Sequence, residues 1–294
     1  MKIESIFSVF MDKVSQVEMV KNSMNTFSKS ELERLHIQKK NIDANPEIKE
    51  IIGRMDFFHI EEIDSGELLR YDIHESFTAE MIEKVFLYKN KQYQWLLAES
   101  FELFKDYLEE IYALIGYLSY ENWPLKDFGN IYLEELKKKK YDYFLSQAKI
   151  KKDSFNSILN KLREIFPNYK DNEVDNKLGK NIKMYLALIE IFRHVIVHLG
   201  GKVKDRDLIV EKILKKSGYW NNGNANDEYV KFILSFFGAN EEANTIMLVE
   251  IPVVGRLPIP AEFSRIDDLF NSIKSSAHAL YKEMKQFEEK NTNA

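Results

Sequence analysis

The 294-residue chain carries 42 basic and 47 acidic side chains, and its net charge of −5 excludes a broadly basic nucleic-acid surface while leaving room for a local basic patch. It contains no cysteine, which excludes disulfides, Cys-bound zinc, iron–sulfur clusters and thiol nucleophiles, and makes a cytoplasmic location the expectation. Eleven glycines and six prolines make up under half of the roughly 12% that proteins average, too few for a turn-dense all-β fold, so a mostly α protein is expected.

The first 45 residues contain neither Gly nor Pro, and Ile3, Phe7, Phe10, Val14, Val17 and Met24 recur near a helical period. Glu4 and Asp12 interrupt what would otherwise read as the apolar core of a signal peptide. Ser28 with Glu31 reads as a capping box that starts a second helix running to about Ile42. Pro46 suits the first turn of a short helix that Gly53 would end. From Phe57 to His74 the pattern weakens into short extended pieces around a turn at Asp64-Ser65-Gly66, and the softest domain boundary falls in this stretch.

A long helical zone follows from Thr78 to Tyr120, with a break expected near Asn90. Trp95, Phe101, Phe104, Leu108, Ile111 and Ile115 form its apolar stripe, and Trp123-Pro124 ends it. Another helix is expected from Asp127 into the run Lys137 to Lys140. Asp153 is placed to cap a helix over Phe155, Ile158, Leu159 and Leu162 that Pro167 stops. Residues 176 to 199 hold the most regular pattern, because Leu178, Ile182, Tyr185, Ile189, Phe192, Ile196 and Leu199 alternate spacings of four and three. Gly200-Gly201 then supplies a left-handed C-terminal cap. Asp205 and Asp227 are placed to start two shorter helices, separated by the turn-forming Asn221-Asn222-Gly223-Asn224. Residues 246 to 257 carry the clearest β signal, and a last helix is expected from Phe263 to Phe287. No run of about 18 apolar residues exists, so no membrane span is expected.

The chemical signal is Arg193-His194-Val195-Ile196-Val197-His198. His194 and His198 stand one above the other, on a face opposite the main stripe that also carries Leu188, Ile191 and Val195. A helix that is apolar on both sides is buried on both sides, either by a second layer of its own subunit or by another subunit. The bland alternative is a set of cations at a helix C-terminus, favoured there by about 0.3–1 kcal/mol. Histidines four apart also have a zinc-ligand spacing, but HExxH is absent because position 195 is Val.

The segment YLALIEIFRHVIVHLGG resembles the signature of the HEPN superfamily (higher eukaryotes and prokaryotes nucleotide-binding), R-x4–6-H with a polar residue after the arginine. Arg193 matches the arginine, His194 the polar position and His198 the histidine, while LLAESFELFKDYLEEI resembles the opening helix of several HEPN families. The resemblance covers residues 90 to 200 and the last helix. It implies a HEPN-like helical bundle over 78–294; the N-terminal helical region over 1–77 and the insertion at 202–260, with its small β-hairpin near 246–257, are read from the sequence pattern and have no counterpart in the resemblance. It further implies a metal-independent endoribonuclease with no cofactor, a toxin or antiviral-defence effector cutting RNA such as tRNA or mRNA. Such proteins form homodimers whose facing motifs make one composite site, and a neutralising partner protein would hold the activity in check. Arg193, His194 and His198 would be catalytic, and the alternative is a non-catalytic dimerisation or nucleotide-binding module of the same shape.

The residues support that chemistry on their own terms. RNA carries its nucleophile as the 2′-hydroxyl, histidine exchanges protons near neutral pH, and arginine holds a phosphate with a fork of donors. Arg193 and His198 lie five residues apart and do not stack, so an antiparallel second copy would bring one subunit's His198 near the other's Arg193, with Leu188, Ile191 and Val195 as the dimer contact. Lys202, Lys204 and Arg206 follow the motif and are expected to bind substrate phosphates. The Lys137–Lys140 run, with Lys149, Lys151 and Lys152, is either a solvated face or a second attraction for RNA. Glu99 and Glu102 are expected at the surface of the opening helix. Tyr219-Trp220 reads as packing under a loop rather than a base-stacking platform, and His36, His59, His74 and His278 read as structural.

Overall fold

A computed structural model describes residues 2–45, 53–151, 153–221, 224–253 and 261–292. The described chain is mostly helical, with ten α-helices and three two-stranded antiparallel ladders. In chain order these are α1 (Ile3–Ala44), β1 (Gly53–Glu61), β2 (Leu68–Phe77), α2 (Thr78–Leu118), α3 (Leu133–Leu136), α4 (Tyr141–Lys149), α5 (Ser154–Ile165), α6 (Pro167–Asn172), α7 (Ile182–Leu199), α8 (Arg206–Ser217), β3 (Trp220–Asn221), β4 (Asn224–Ala225), α9 (Asp227–Leu234), β5 (Ile251–Val253), β6 (Ala261–Phe263) and α10 (Arg265–Thr292). Two compact units divide the chain: Met1–Met19 with Tyr93–Ala294, and Val20–Gln92.

In the smaller unit, the helix start expected at Ser28 does not occur, because α1 runs through it without interruption. Ser28 is buried in the helix interior, and the Glu31 carboxylate is taken by Arg34 at 2.8 and 2.7 Å instead of reaching back to cap. With no Gly or Pro before Pro46, nothing stops the helix sooner. The break expected near Asn90 is also absent, for Asn90 is buried inside a continuous α2. Between the two helices, β1 and β2 pair as a hairpin around the turn that Asp64-Ser65-Gly66 indicated, with Gly66 at φ 72°. Gly53 begins β1, while the helix expected at Pro46 lies outside the described residues.

In the larger unit, Leu97, Phe104, Leu108, Ile111 and Ile115 of α2 are fully buried. Trp95, expected on that stripe, is exposed, and its place is taken by Tyr93 and Leu97. Trp123 stacks on Tyr112 at 4.7 Å and donates from Nε1 to the Tyr112 carbonyl at 2.9 Å, turning the chain after α2. The helix expected from Asp127 is replaced by a 3-10 turn at Leu125–Asp127 and the short α3. Asp153 precedes α5 at φ 50° and makes no side-chain cap; its carboxylate accepts from Asn156 Nδ2 at 3.0 Å.

Helix α7 starts at Ile182, later than the apolar period suggested, because Gly179 turns left-handed at φ 63° and Asn176 bonds the surrounding backbone. Leu178 is therefore exposed. Asn181 caps α7 by accepting from the Met184 N–H at 3.1 Å, and Gly200 and Gly201 close its far end at φ 68° and 85°. The main stripe is buried from Ile182 to Ile196, but Leu199 at its end is exposed. Segment 202–260 contributes to the same core: Phe192 packs edge-on against Phe236 and Phe237, at 5.8 and 5.9 Å. Asp205 caps α8 as expected, whereas α9 is capped by the side chain of Asn226, one residue before Asp227. The β signal near 246–257 becomes β5, paired with β6; residues 254–260 and Asn222-Gly223 lie outside the described residues. The last helix begins at Arg265 and reaches Thr292.

A buried polar cluster holds the start of α7. Arg163 grips Glu173 through two bonds at 2.6 and 2.8 Å, Tyr169 donates to Glu173 at 3.2 Å, and the Glu173 carbonyl accepts from the Ile182 N–H at 2.7 Å. Tyr185 of α7 also donates to Asp268 of α10 at 2.7 Å.

Candidate functional site

The far end of α7 forms one wall of a cleft of about 600 Å³. Arg193 and His194 line it from α7; Phe101, Glu102 and Lys105 line it from α2. Lys149, Lys151, Ser154 and Phe155 close one side, and Ile209, Lys212 and Lys216 of α8 the other. The floor is aromatic, with Phe101 and Phe155 buried and 4.7 Å apart between ring centres.

The cations in this cleft are of two kinds. Arg193 Nη2 lies 2.5 Å from Glu102 Oε1, and its guanidinium carbon sits 5.9 Å from the centre of the Phe101 ring. Its Nε is buried with no hydrogen-bond acceptor, so the guanidinium is not saturated by the protein. Lys216 pairs with Glu190 at 2.6 Å, Lys151 with Asp127 at 2.5 Å, and Lys105 lies 3.9 and 3.8 Å from Glu102 and Glu109. Lys149 and Lys212 line the cleft and make no ion pair with any described residue, although Lys149 acts at longer range on the Glu109 and Glu110 carboxylates. Burial raises the Glu109 carboxyl above the usual range, opposed by its bond to Ser154 and by Lys105.

His194 and His198 stack along α7 with ring centres 4.7 Å apart. The His194 imidazole is pushed below its ordinary pKa, first by partial burial and then by the positive charges of His198, Arg193 and Lys212. It therefore favours the neutral, proton-accepting form.

The structure gathers some of the expected site residues and not others. Arg193 and His194 are in the cleft, and His198 stands beside His194 one turn on, exposed. Lys202, Lys204 and Arg206 are not among the residues lining the cleft. The left-handed Gly200-Gly201 turn sends the chain against residues 244–246 instead: the Ile246 N–H bonds the Gly201 carbonyl at 2.9 Å, and Lys202 bridges Thr245. Glu102, expected as a solvent-facing residue, is the ion-pair partner of Arg193. Lys137 of the lysine run is tied to Glu134 at 2.9 Å and is not in the cleft, whereas Lys149 and Lys151 are. Lys152 and the His74 side chain lie outside the described residues. Lys105, Lys212 and Lys216 were not singled out from sequence; the four-residue spacing of Lys212 and Lys216 on α8 was the available signal, and it also fits any solvated helix face.

The apolar histidine face is covered by the chain itself. Leu188 and Val195 are buried within the subunit and Ile191 half-buried, so these residues are not an open dimer contact. Among the described residues no helix is long and apolar enough to cross a membrane, and no group of three or more His, Asp or Glu residues is arranged to hold a metal ion. Compared with known proteins, the chain matches no family model, no curated protein and no solved structure.

Proposed function

We propose that this chain is a metal-independent endoribonuclease of the HEPN type that its Arg-His-x3-His motif resembles, acting in the cleft at the end of α7. The observation that carries this reading is the meeting of Arg193 and His194 in a cleft whose Lys149 and Lys212 make no ion pair with any described residue. A phosphodiester brings negative charge into the cleft, and Arg193 with these lysines holds it. Neutral His194 accepts the proton of the 2′-hydroxyl, whose oxygen attacks the neighbouring phosphorus. The P–O5′ bond breaks and His198, when protonated, supplies the leaving oxygen with its proton, giving a 2′,3′-cyclic phosphate and a 5′-hydroxyl. Glu102 keeps the Arg193 fork in place. The motif resemblance extends the reading to a toxin or antiviral-defence effector.

The test is incubation of total tRNA, in EDTA, with wild type and with Arg193→Ala, His194→Ala and His198→Ala. Cyclic-phosphate ends from wild type, and their loss in all three variants with unchanged circular dichroism, support the reading; intact RNA with wild type refutes it. The Arg193–Glu102 pair favours a second reading, a non-catalytic module in which Arg193 holds α7 to α2. Under that reading Arg193→Ala lowers thermal stability and no RNA is cut by any form.

A further inference from the structure

In the larger unit, one basic run stands outside the cleft. Lys137–Lys140 follows α3 and leads into α4, and the residues before it fold back beside it. Tyr143 donates to the Phe128 carbonyl at 2.6 Å, Lys139 Nζ lies 5.2 Å from the centre of the Tyr143 ring, and Lys137 Nζ lies 6.0 Å from that of Tyr120. Tyr132, at the other end of the four-residue α3, is 83% exposed, and its ring meets no other ring among the described residues. Aromatic rings and ammonium groups thus stand side by side here. Asp127 and Glu134 are tied to Lys151 and Lys137. That leaves Glu121, Glu135 and Asp142 against Lys126, Lys138, Lys139, Lys140 and Lys149, lysines in no ion pair with a described residue. Segment 117–151 is therefore positive in a chain whose net charge is −5.

Resting on the ribonuclease reading for where the strand is cut, we infer that this surface is a second RNA site, which holds the unpaired strand running on from the cleft. The substrate it selects is RNA that stays single-stranded for several nucleotides beside the cut. Lysines attract any polyanion, but exposed rings among them add stacking for unpaired bases, which a duplex hides. The path to the cleft is also short. Lys149, the last residue of α4, lines the cleft, and Lys140 stands just before the other end of that helix. The nine residues of α4 span about 13 Å, which about four stacked nucleotides cover at about 3.4 Å each. An acidic peptide or a phosphatidylserine surface would engage the lysines, but would make no use of Tyr132 as a stacking platform or of that path.

The experiment is fluorescence anisotropy of a labelled single-stranded RNA of about twelve nucleotides, in a His194→Ala background that binds without cutting. Lys138→Ala/Lys140→Ala removes two phosphate contacts, so binding at about 0.1 M salt is expected to weaken about 25-fold. Tyr132→Ala is expected to weaken it at least about fivefold, and Tyr132→Phe, which keeps the ring, to restore it. Lys282→Ala/Lys285→Ala on α10 removes the same charge elsewhere and is expected to change binding less than about twofold, with circular dichroism unchanged throughout. In cleavage of the same RNA without the His194 change, Lys138→Ala/Lys140→Ala raises KM and leaves kcat. An RNA of about three nucleotides, too short to span α4, is cut as by wild type. The inference is overturned if Lys138→Ala/Lys140→Ala or Tyr132→Ala binds RNA as its parent does, or if the α10 control weakens binding as much. Flotation with phosphatidylserine vesicles that Lys138→Ala/Lys140→Ala abolishes, with RNA binding unchanged, overturns it in favour of a lipid surface. If no form cuts RNA but these variants lose RNA binding, the ribonuclease reading fails and the surface stands. If wild type cuts and the variants bind as their parent does, the surface fails and the ribonuclease reading stands.

Discussion

Lys149 and Lys212 give the sharpest quantitative prediction, because they are the cleft cations with no ion pair to any described residue. Each lysine that neutralises an RNA phosphate releases condensed counterions, so log K falls with log salt at about −0.7 per contact on a single strand. The other lysines are partly neutralised at rest by Glu190, Asp127, Glu102 and Glu109, and release less. Replacing both with alanine in a His194→Ala background, which binds without cutting, makes the slope shallower by about 1.4. At 0.1 M salt that corresponds to about 25-fold weaker binding, or about 1.9 kcal/mol. Fluorescence anisotropy with a labelled single-stranded RNA, over a series of salt concentrations, measures both quantities. Lys202→Ala/Lys204→Ala is the internal control, since those residues do not line the cleft, and its slope matches the parent. An unchanged slope in the Lys149/Lys212 variant, or a larger loss in the control, refutes the assignment of this cleft as the RNA site.

Two further predictions concern the helix that carries the site. Glu173→Gln leaves the largely buried Arg163 guanidinium without its carboxylate, which costs about 3–5 kcal/mol; urea melts followed by circular dichroism measure it, and a loss under about 1 kcal/mol contradicts the role given to this pair. His194 titrates below its ordinary value of about 6.5, so protonating it is harder in the folded chain than in the unfolded one. Its contribution to stability is therefore neutral above about pH 6.5 and becomes unfavourable as pH falls through that value, while the acidic limb of the cleavage profile lies below it. Lys212→Ala moves the His194 titration back upward, which imidazole proton shifts in NMR detect; movement downward would contradict the geometry.

Helical content, the absence of thiol chemistry and the Gly200-Gly201 stop were all legible in the chain, because composition, 3.6-residue periodicity and left-handed glycine act locally. The Arg193-His194 pair was legible as a motif for the same reason. Ser28, Asn90 and Trp95 were misread, since what decides each is its surroundings: Arg34 takes Glu31, Asn90 is buried within a continuous helix, and Tyr93 takes the inward place of Trp95. The counter-charges were settled only in three dimensions. Glu102 and Arg193 are 91 positions apart in the chain and 2.5 Å apart in space, and Lys105, Lys149 and Lys212 meet across one cleft only after α2, α4 and α8 pack. Lys202 and Lys204 were near the motif in sequence, yet the glycine turn led them elsewhere. Local pattern thus determined which helix bears the Arg193-His194 pair, while long-range packing decided which charges stand beside it and that Leu188 and Val195 are covered from within.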